Sequence, residues 1–520
     1  MSEPASQAQP VLPFHGDTLR DNLHPPAWRN PSPAGTYDLV VIGAGPGGLA
    51  ASRAAAKLGA RVALIERALI GGARLNAGCV PSKALIRTAR AYAEMRDANA
   101  FGAVGPDAIR VSYPAAVARM REIQARLSRS DSAARLREAG IDVYFGEARF
   151  LAPDKVAVGG DVLHFGKALV VTGTRPQIAD IPGLAESDTP PNETIFNADE
   201  CPGRLLIIGG GPFGCEMAQA FCRFGVHVII AQSDPMFLPK EERDAAQVVS
   251  DALARDGVEV HLNTTVVSVR TQGAEKIAEL EYEGGTFTVS VDRIITGIGR
   301  SPNVESLNLD AAGVAYDLVA GIGVDDFLRT SNKRIYAAGD VCLEHKYAHV
   351  AEASARLATR NALLPGGRRF SAMTIPWCTY TDPEIAHVGL YVREARERDI
   401  PVRTFTILMH DVDRAVTDGE EEGFVKIHVK QGTDRILGAT VVARHAGEMI
   451  NGLSLAINSG IGLRALGRVV HTYPTQAEAI KMAADVYRRE LFMSGPNAMT
   501  RAWLALSRAM HRWLPHRPVP

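Results

Sequence analysis

The chain has 520 residues, 46% of them hydrophobic, with 57 Lys and Arg against 58 Asp and Glu and a formal net charge of -1. That length calls for three or four domains with ample core, and the even balance lacks the basic asymmetry of a nucleic-acid binder. Six cysteines scattered at 79, 201, 215, 222, 342 and 378 form neither a disulfide framework nor a C-x-x-C zinc pair, which suits a reducing cytoplasm and predicts no bound metal.

Residues 1–35 are rich in Pro, Ser, Asn and Gln without an apolar period, and predict a disordered arm. They lack the basic, apolar, small-residue order of a signal peptide. No apolar run reaches the roughly 18 residues of a membrane-spanning helix.

From Tyr37 the texture changes. Tyr37–Ile42 reads as a strand, Gly43-Ala44-Gly45-Pro46-Gly47-Gly48 as a turn, 49–58 as an Ala-rich helix, and Arg61–Glu66 as a second strand. Gly43 permits the tight turn, Gly45 lets a pyrophosphate approach the backbone, and Gly48 lets the helix pack on the strand. The helix N-terminus offers N–H donors to phosphates, and Glu66 is an acceptor for a ribose. A dinucleotide-binding domain is expected over 36–180, with a helical stretch at 115–139.

The pattern recurs. Leu205–Ile208 is a strand, Gly209, Gly211 and Gly214 mark the turn, a helix runs through Phe224, and His227–Gln232 is the second strand. In both copies the residue ending the second strand lies 18 positions after the last glycine. Gln232 stands where Glu66 stands in the first copy. It is neutral and favours neither NAD nor NADP. A second nucleotide-binding domain is expected over 181–296.

Residues 366–490 mix alternating strands such as Gly423–Val429 with apolar helices such as 446–459, and predict a third, α+β domain. His471 precedes Glu478 by seven residues with Pro474 between them, which places His471 in a loop and Glu478 on the next helix. A carboxylate bonded to one imidazole nitrogen fixes the tautomer and raises the basicity of the other. In the tail 491–520, Trp503, Leu506, Met510, Trp513 and Leu514 share one helical face, with Arg501, Arg508 and Arg512 opposite. Such a helix either docks on its own protein or makes peripheral contact with an anionic membrane surface.

Cys79 precedes Val80-Pro81-Ser82-Lys83. Pro81 suits a first helical turn, and a helix N-terminus favours thiolate. The segment Gly71–Lys83 resembles the redox-active stretch of flavin-dependent disulfide reductases, which carries C-x-x-x-x-C. Here Arg74 holds the first position and Cys79 the second. Thr172-Gly173-Thr174-Arg175-Pro176, Thr296–Asn303 with Gly299, Ile335–Val341 with Asp340, and Tyr380–Glu384 with Gly389 complete the resemblance, over about 36–490, to the class I pyridine nucleotide–disulfide oxidoreductases. This family includes dihydrolipoamide dehydrogenase and mercuric reductase.

The resemblance implies an α/β fold with two Rossmann-like nucleotide-binding domains, for FAD and NAD(P), and a C-terminal α+β dimerisation domain. The FAD domain is then completed by 297–365, the dimerisation domain is 366–490, and the protein is a cytoplasmic homodimer. Thr172, Gly173 and Asp340 are implied to bind FAD, and Gly299 to lie at the return from the NAD(P) domain. Lys83 and Glu216 are implied to form a pair at the flavin edge near the nicotinamide. His471 and Glu478 are implied to form an acid–base dyad serving the other subunit. The activity expected is an FAD-dependent NAD(P)H oxidoreductase acting on a small-molecule electron acceptor through the single thiol Cys79. In this expectation Arg74 stands beside Cys79 and holds it as thiolate. The alternatives are a thiol-independent NAD(P)H:quinone or dye reductase, a mercuric-reductase-like enzyme, and a catalytically degenerate scaffold.

Overall fold

Short apolar strands that run straight into glycine fix the architecture. The computed structural model describes residues 17–33, 35–104, 109–177, 179–187, 192–493 and 498–513. The chain divides into two units, Met1–Met373 with Thr379–Asp382, and Thr374–Cys378 with Pro383–Pro520.

The first unit begins with α1 (Asp17–Leu23), β1 (Thr36–Ile42), α2 (Pro46–Lys57), β2 (Val62–Glu66), α3 (Gly72–Asn76) and α4 (Cys79–Arg96). There follow α5 (Tyr113–Ser128), α6 (Ala133–Glu138), β3 (Ile141–Phe145), β4 (Ala148–Ala152), β5 (Lys155–Val158) and β6 (Asp161–Val170). These strands form one sheet in the order β3-β2-β1-β6-β5-β4, and the later strand Ile335–Ala337 also pairs with β6. The pairs β1/β2, β1/β6 and β2/β3 are parallel, as is the pairing of Ile335–Ala337 with β6. All five residues of β2 are buried, the pattern of a parallel strand covered on both faces. The predicted helix over 115–139 is two helices, α5 and α6, with Ser132 accepting from the Arg135 N–H at the start of α6.

The expected disordered arm is overturned for residues 17–33. Leu23 is fully buried. The Trp28 indole donates to the Val143 carbonyl at 3.2 Å, and the Asn30 amide takes both backbone groups of Phe145, at 2.9 and 2.8 Å. His24 stacks on Phe145 at 4.0 Å. The polar arm covers the free edge of β3, which otherwise exposes unpaired backbone groups. Composition carries no signal for such edge pairing, and residues 1–16 lie outside the described residues.

After β7 (Thr174–Pro176) come β8 (Arg204–Ile208), α7 (Pro212–Arg223), β9 (His227–Ala231), α8 (Arg243–Asp256) and β10 (Glu259–His261). A three-stranded antiparallel sheet of β11 (Thr264–Gln272), β12 (Glu275–Tyr282) and β13 (Gly285–Val291) leads to β14 (Arg293–Thr296). The second parallel sheet has the order β10-β9-β8-β14. Next, β15 (Arg300–Pro302) pairs with β7, and α9 (Ala348–Leu363) packs on α2, whose Gly47 lies against the Ala351 carbonyl. The first unit is therefore two Rossmann-like halves on one chain.

The second unit holds a five-stranded sheet in the order Pro376–Thr379, Glu384–Gly389, Ile436–Ala443, Phe424–Lys430, Val402–Leu408. The central strand Ile436–Ala443 is buried along its whole length. The helices Ala446–Asn458 and Glu478–Met493 contribute Met449, Ile450, Leu453, Ile480 and Ala483 to its core.

Candidate active site

The two glycine turns are built alike. Gly43 has φ +103°, and a Cβ there would lie 2.6 Å from the Val171 carbonyl oxygen. Gly209 has φ +105°, and its Cβ would lie 2.9 Å from the Gly297 carbonyl oxygen. Only glycine takes this left-handed backbone freely. A Cβ on Gly48 would sit 1.8 Å from the Gly43 oxygen, and one on Gly214 would sit 2.1 Å from the Gly209 oxygen. That close approach lets each helix start directly on its strand. Gly45 and Gly211 are the N-caps of α2 and α7, with no side-chain cap and a proline in the first turn of each helix. N–H donors at both helix starts are thus left without a side-chain cap, beside the positive helix end.

The residues at the ends of the second strands buttress these turns. The Glu66 carboxylate accepts from the Ala44 N–H at 2.8 Å and from the Ala68 N–H at 2.9 Å. Burial raises its pKa against the pull of those hydrogen bonds. Gln232 repeats the contact: its amide oxygen accepts from the Gly210 N–H at 2.6 Å, and its amide nitrogen donates to Asp234 at 2.8 Å. The equivalence of Glu66 and Gln232 in the sequence is therefore also one of geometry.

A third cluster joins distant segments. The Thr172 hydroxyl donates to the Asn303 carbonyl at 2.8 Å, the Asn303 amide donates to the Thr172 carbonyl at 2.9 Å, and the Asn303 N–H donates to Gly173 at 3.0 Å. The Thr174 hydroxyl donates to Asp340 at 3.3 Å and accepts from the Arg300 guanidinium at 2.7 Å. Burial raises the Asp340 pKa, opposed by Arg300 and Thr174. Gly299 has φ +140° and accepts from the Gln177 N–H at 3.0 Å. The left-handed Gly43, the α2 start without a side-chain cap and the half-buried Asp340 beside the Arg300 guanidinium fit an FAD held by the first half. The matching turn at Gly209–Gly214 fits the nicotinamide dinucleotide.

Between these turns lies the candidate redox centre. Cys79 is the first residue of α4, and its side chain is exposed. One turn on, the Lys83 ammonium donates to Glu216 on α7 at 2.7 Å. Glu216 is 4% exposed, and its other oxygen accepts from the Tyr380 N–H at 2.9 Å. The Lys83 ammonium also lies 4.5 Å from the Tyr380 ring centroid. Sequence reading found Lys83 and Glu216 but missed Tyr380, which meets them only through the fold.

Arg74 departs from its expected role. Its guanidinium donates to Asp131 at 2.6 Å, and Arg53 meets the other oxygen of Asp131 at 3.0 Å. The cation expected to act on the Cys79 sulfur is therefore offset by a carboxylate. Asp131 lies 57 residues away in the chain, and no local pattern announces the pair.

The environments of four other cysteines disfavour the thiolate. Burial pushes Cys215 up to about 12 and Cys201 up to about 11, and raises Cys222 and Cys342. Cys215 donates to the Gly210 carbonyl at 3.5 Å.

In the second unit Glu478 opens the helix Glu478–Met493 and His471 lies in the preceding loop. Among the described residues no hydrogen bond joins them, and the His471 Nε2 is buried without a partner. The intervening turn is closed by the Thr475 hydroxyl on the Thr472 carbonyl at 2.9 Å.

Comparison with known proteins agrees with this layout. Residues 37–355 match the family model described as pyridine nucleotide-disulphide oxidoreductase, and residues 375–484 match the dimerisation domain of the same family. A mercuric reductase of Lysinibacillus sphaericus is 31% identical over 88% of this chain and 83% of its own length. A dihydrolipoyl dehydrogenase of Chlamydia muridarum is 33% identical over 85% of this chain and 95% of its own. The solved structure of the HOCl-induced flavoprotein disulfide reductase RclA from Escherichia coli superposes with a TM-score of 0.76 at 27% identity, covering 86% of this chain and 100% of that one.

Proposed function

The chain belongs to the pyridine nucleotide-disulphide oxidoreductase family, and from that premise we propose that it reduces a small quinone-type acceptor with NAD(P)H, without a dithiol relay. It is an FAD-dependent oxidoreductase with FAD and NAD(P)H as its cofactor and substrate, and it carries the family's dimerisation domain. Bound FAD supplies the two-electron link between nicotinamide and acceptor. The net change balances as NAD(P)H, one proton and a quinone giving NAD(P)+ and a hydroquinone.

The observation that carries the reading is the Arg74–Asp131 ion pair at 2.6 Å. The position that needs a sulfur holds a cation committed to a carboxylate, so Cys79 has no partner for a disulfide. The chain's own residues then have three tasks. The turns at Gly43–Gly48 and Gly209–Gly214 hold the two dinucleotides. Glu216, fixed by Tyr380, holds the Lys83 ammonium in one place. That ammonium stabilises negative charge as it develops during transfer. Cys79 lends exposed sulfur without completing a redox pair. We read the enzyme as a cytoplasmic homodimer.

The test is Cys79→Ser holoenzyme assayed with NAD(P)H and a soluble benzoquinone. Turnover within about threefold of the parent supports the reading, since that corresponds to well under 1.36 kcal/mol. A loss of about a hundredfold or more would put the thiol back in the electron path.

A further inference from the structure

The C-terminal helix Ala498–Trp513 lies beyond the last residue, 484, matched to the family. Its described apolar side chains are unusually open: Trp503 is 63% exposed, Leu506 55% and Met510 48%. At about 100° per residue these three fall within an arc of roughly 60°, and Arg501 and Arg508 fall opposite. The expectation of a helix docked on its own protein is therefore not met by these side chains. Leu514 and the side chains of Arg512 and Trp513, the rest of that expected pattern, lie outside the described residues.

Charge selects the occupant of this face. From Leu491 to the end the sequence holds Arg501, Arg508, Arg512, Arg517 and two histidines, and no Asp or Glu. Packing against a second copy would cover the apolar face but leave these cations, which lie opposite it, with no acid in either tail to meet them. A surface of anionic headgroups has the opposite sign and accepts a tryptophan-bearing face at its apolar boundary. No helix among the described residues is long and apolar enough to cross a membrane, so this helix would lie flat, about 24 Å long at 1.5 Å per residue. We infer that Ala498–Trp513 docks the enzyme on the surface of a bilayer containing anionic lipid. The inference stands apart from the identity of the electron acceptor.

The test uses full-length holoenzyme sedimented with vesicles of phosphatidylcholine alone or of an equimolar mixture with phosphatidylglycerol. Co-sedimentation with the mixed vesicles is expected, weaker by about tenfold or more on the neutral vesicles and at high salt, with a blue shift of tryptophan emission. A chain ending at Met493, and the double variant Arg501→Glu/Arg508→Glu, are expected to stay in solution with unchanged flavin absorbance and unchanged turnover of a soluble acceptor. Failure of the parent to sediment with the mixed vesicles, or equal sedimentation without residues 494–520, would overturn the inference. So would a truncation that splits the dimer, because the helix would then belong to a second copy.

Discussion

The Lys83 ammonium on α4 and the Glu216 carboxylate on α7 meet at 2.7 Å. One charged pair thereby links the helix that carries the thiol to the helix that opens the second glycine turn. Glu216 is also fixed by the Tyr380 N–H, so the ammonium is held rather than merely tethered. Lys83→Met is expected to slow anaerobic reduction of the bound flavin by NAD(P)H. A lost charge-assisted hydrogen bond is worth roughly 1.5–3 kcal/mol, or about ten- to a hundredfold in rate. Stopped-flow bleaching of the flavin band reads it directly, and an unchanged rate would remove Lys83 from the transfer step.

Arg74 and Asp131 make a different kind of pair. The Asp131 side chain is only 7% exposed, whereas those of Arg74 and Arg53 are 33% and 39% exposed. Screening by solvent discounts the value of such a contact, so Arg74→Ala is expected to cost about 1 kcal/mol of stability, with Arg53 still neutralising Asp131. Quinone turnover at saturating acceptor should stay close to that of the parent. A collapse of turnover with an intact fold would restore Arg74 as an activator of Cys79.

Thiol chemistry should single out one residue. Cys79 is exposed and Cys215 is buried, its thiol held up to about 12. Brief alkylation of the native holoenzyme near neutral pH is expected to label Cys79 first, with Cys215 protected until the chain unfolds. Peptide mapping checks the order. Early labelling of Cys215 would mean that its half of the fold opens readily.

Much of this arrangement was legible in the sequence, for a physical reason. Gly43, Gly48, Gly209 and Gly214 sit where a Cβ would collide with backbone, so spacing alone reveals the turns. Glu66 and Gln232 follow from the same fixed geometry. Asp131 and Tyr380 were not legible, because their partners lie far away in the chain and depend on how α3, α4 and α7 are brought together. The arm at 17–33 was misread because polar composition suggested solvent, whereas Trp28 and Asn30 use their polar atoms to satisfy the backbone of β3. His471 and Glu478, seven residues apart in the sequence, are not hydrogen-bonded to one another among the described residues.

Glu66 predicts a pH effect of defined sign. Its folded pKa is raised above the ordinary value of 4.5, chiefly by burial. Stability tied to the protonated form is then fully present below that ordinary value and is lost as pH rises through the folded one. Glu66→Gln keeps an acceptor for the Ala44 N–H, as Gln232 does for Gly210, and removes the titration. Relative to the variant, the flavin-free parent should therefore lose stability in urea unfolding as pH rises from the ordinary value of 4.5 through the raised folded one. Parallel stability curves across that range would show that burial of Glu66 carries no such penalty.

Asp234 predicts a preference between the two coenzymes. A neutral Gln232 leaves the ribose pocket undecided, but its amide nitrogen holds the exposed Asp234 carboxylate at 2.8 Å, two residues beyond the strand position that conventionally reads the ribose. A 2′-phosphate brought there would face that negative charge, with the nearest cation in the sequence at Lys240. At about 6 Å and an effective dielectric between that of a protein surface and water, the repulsion is on the order of 1–3 kcal/mol. NADH is therefore expected to exceed NADPH in kcat/KM by about fivefold or more, and Asp234→Arg should narrow or reverse that ratio. Equal use of the two coenzymes by the parent would show that the carboxylate points away from the bound ribose.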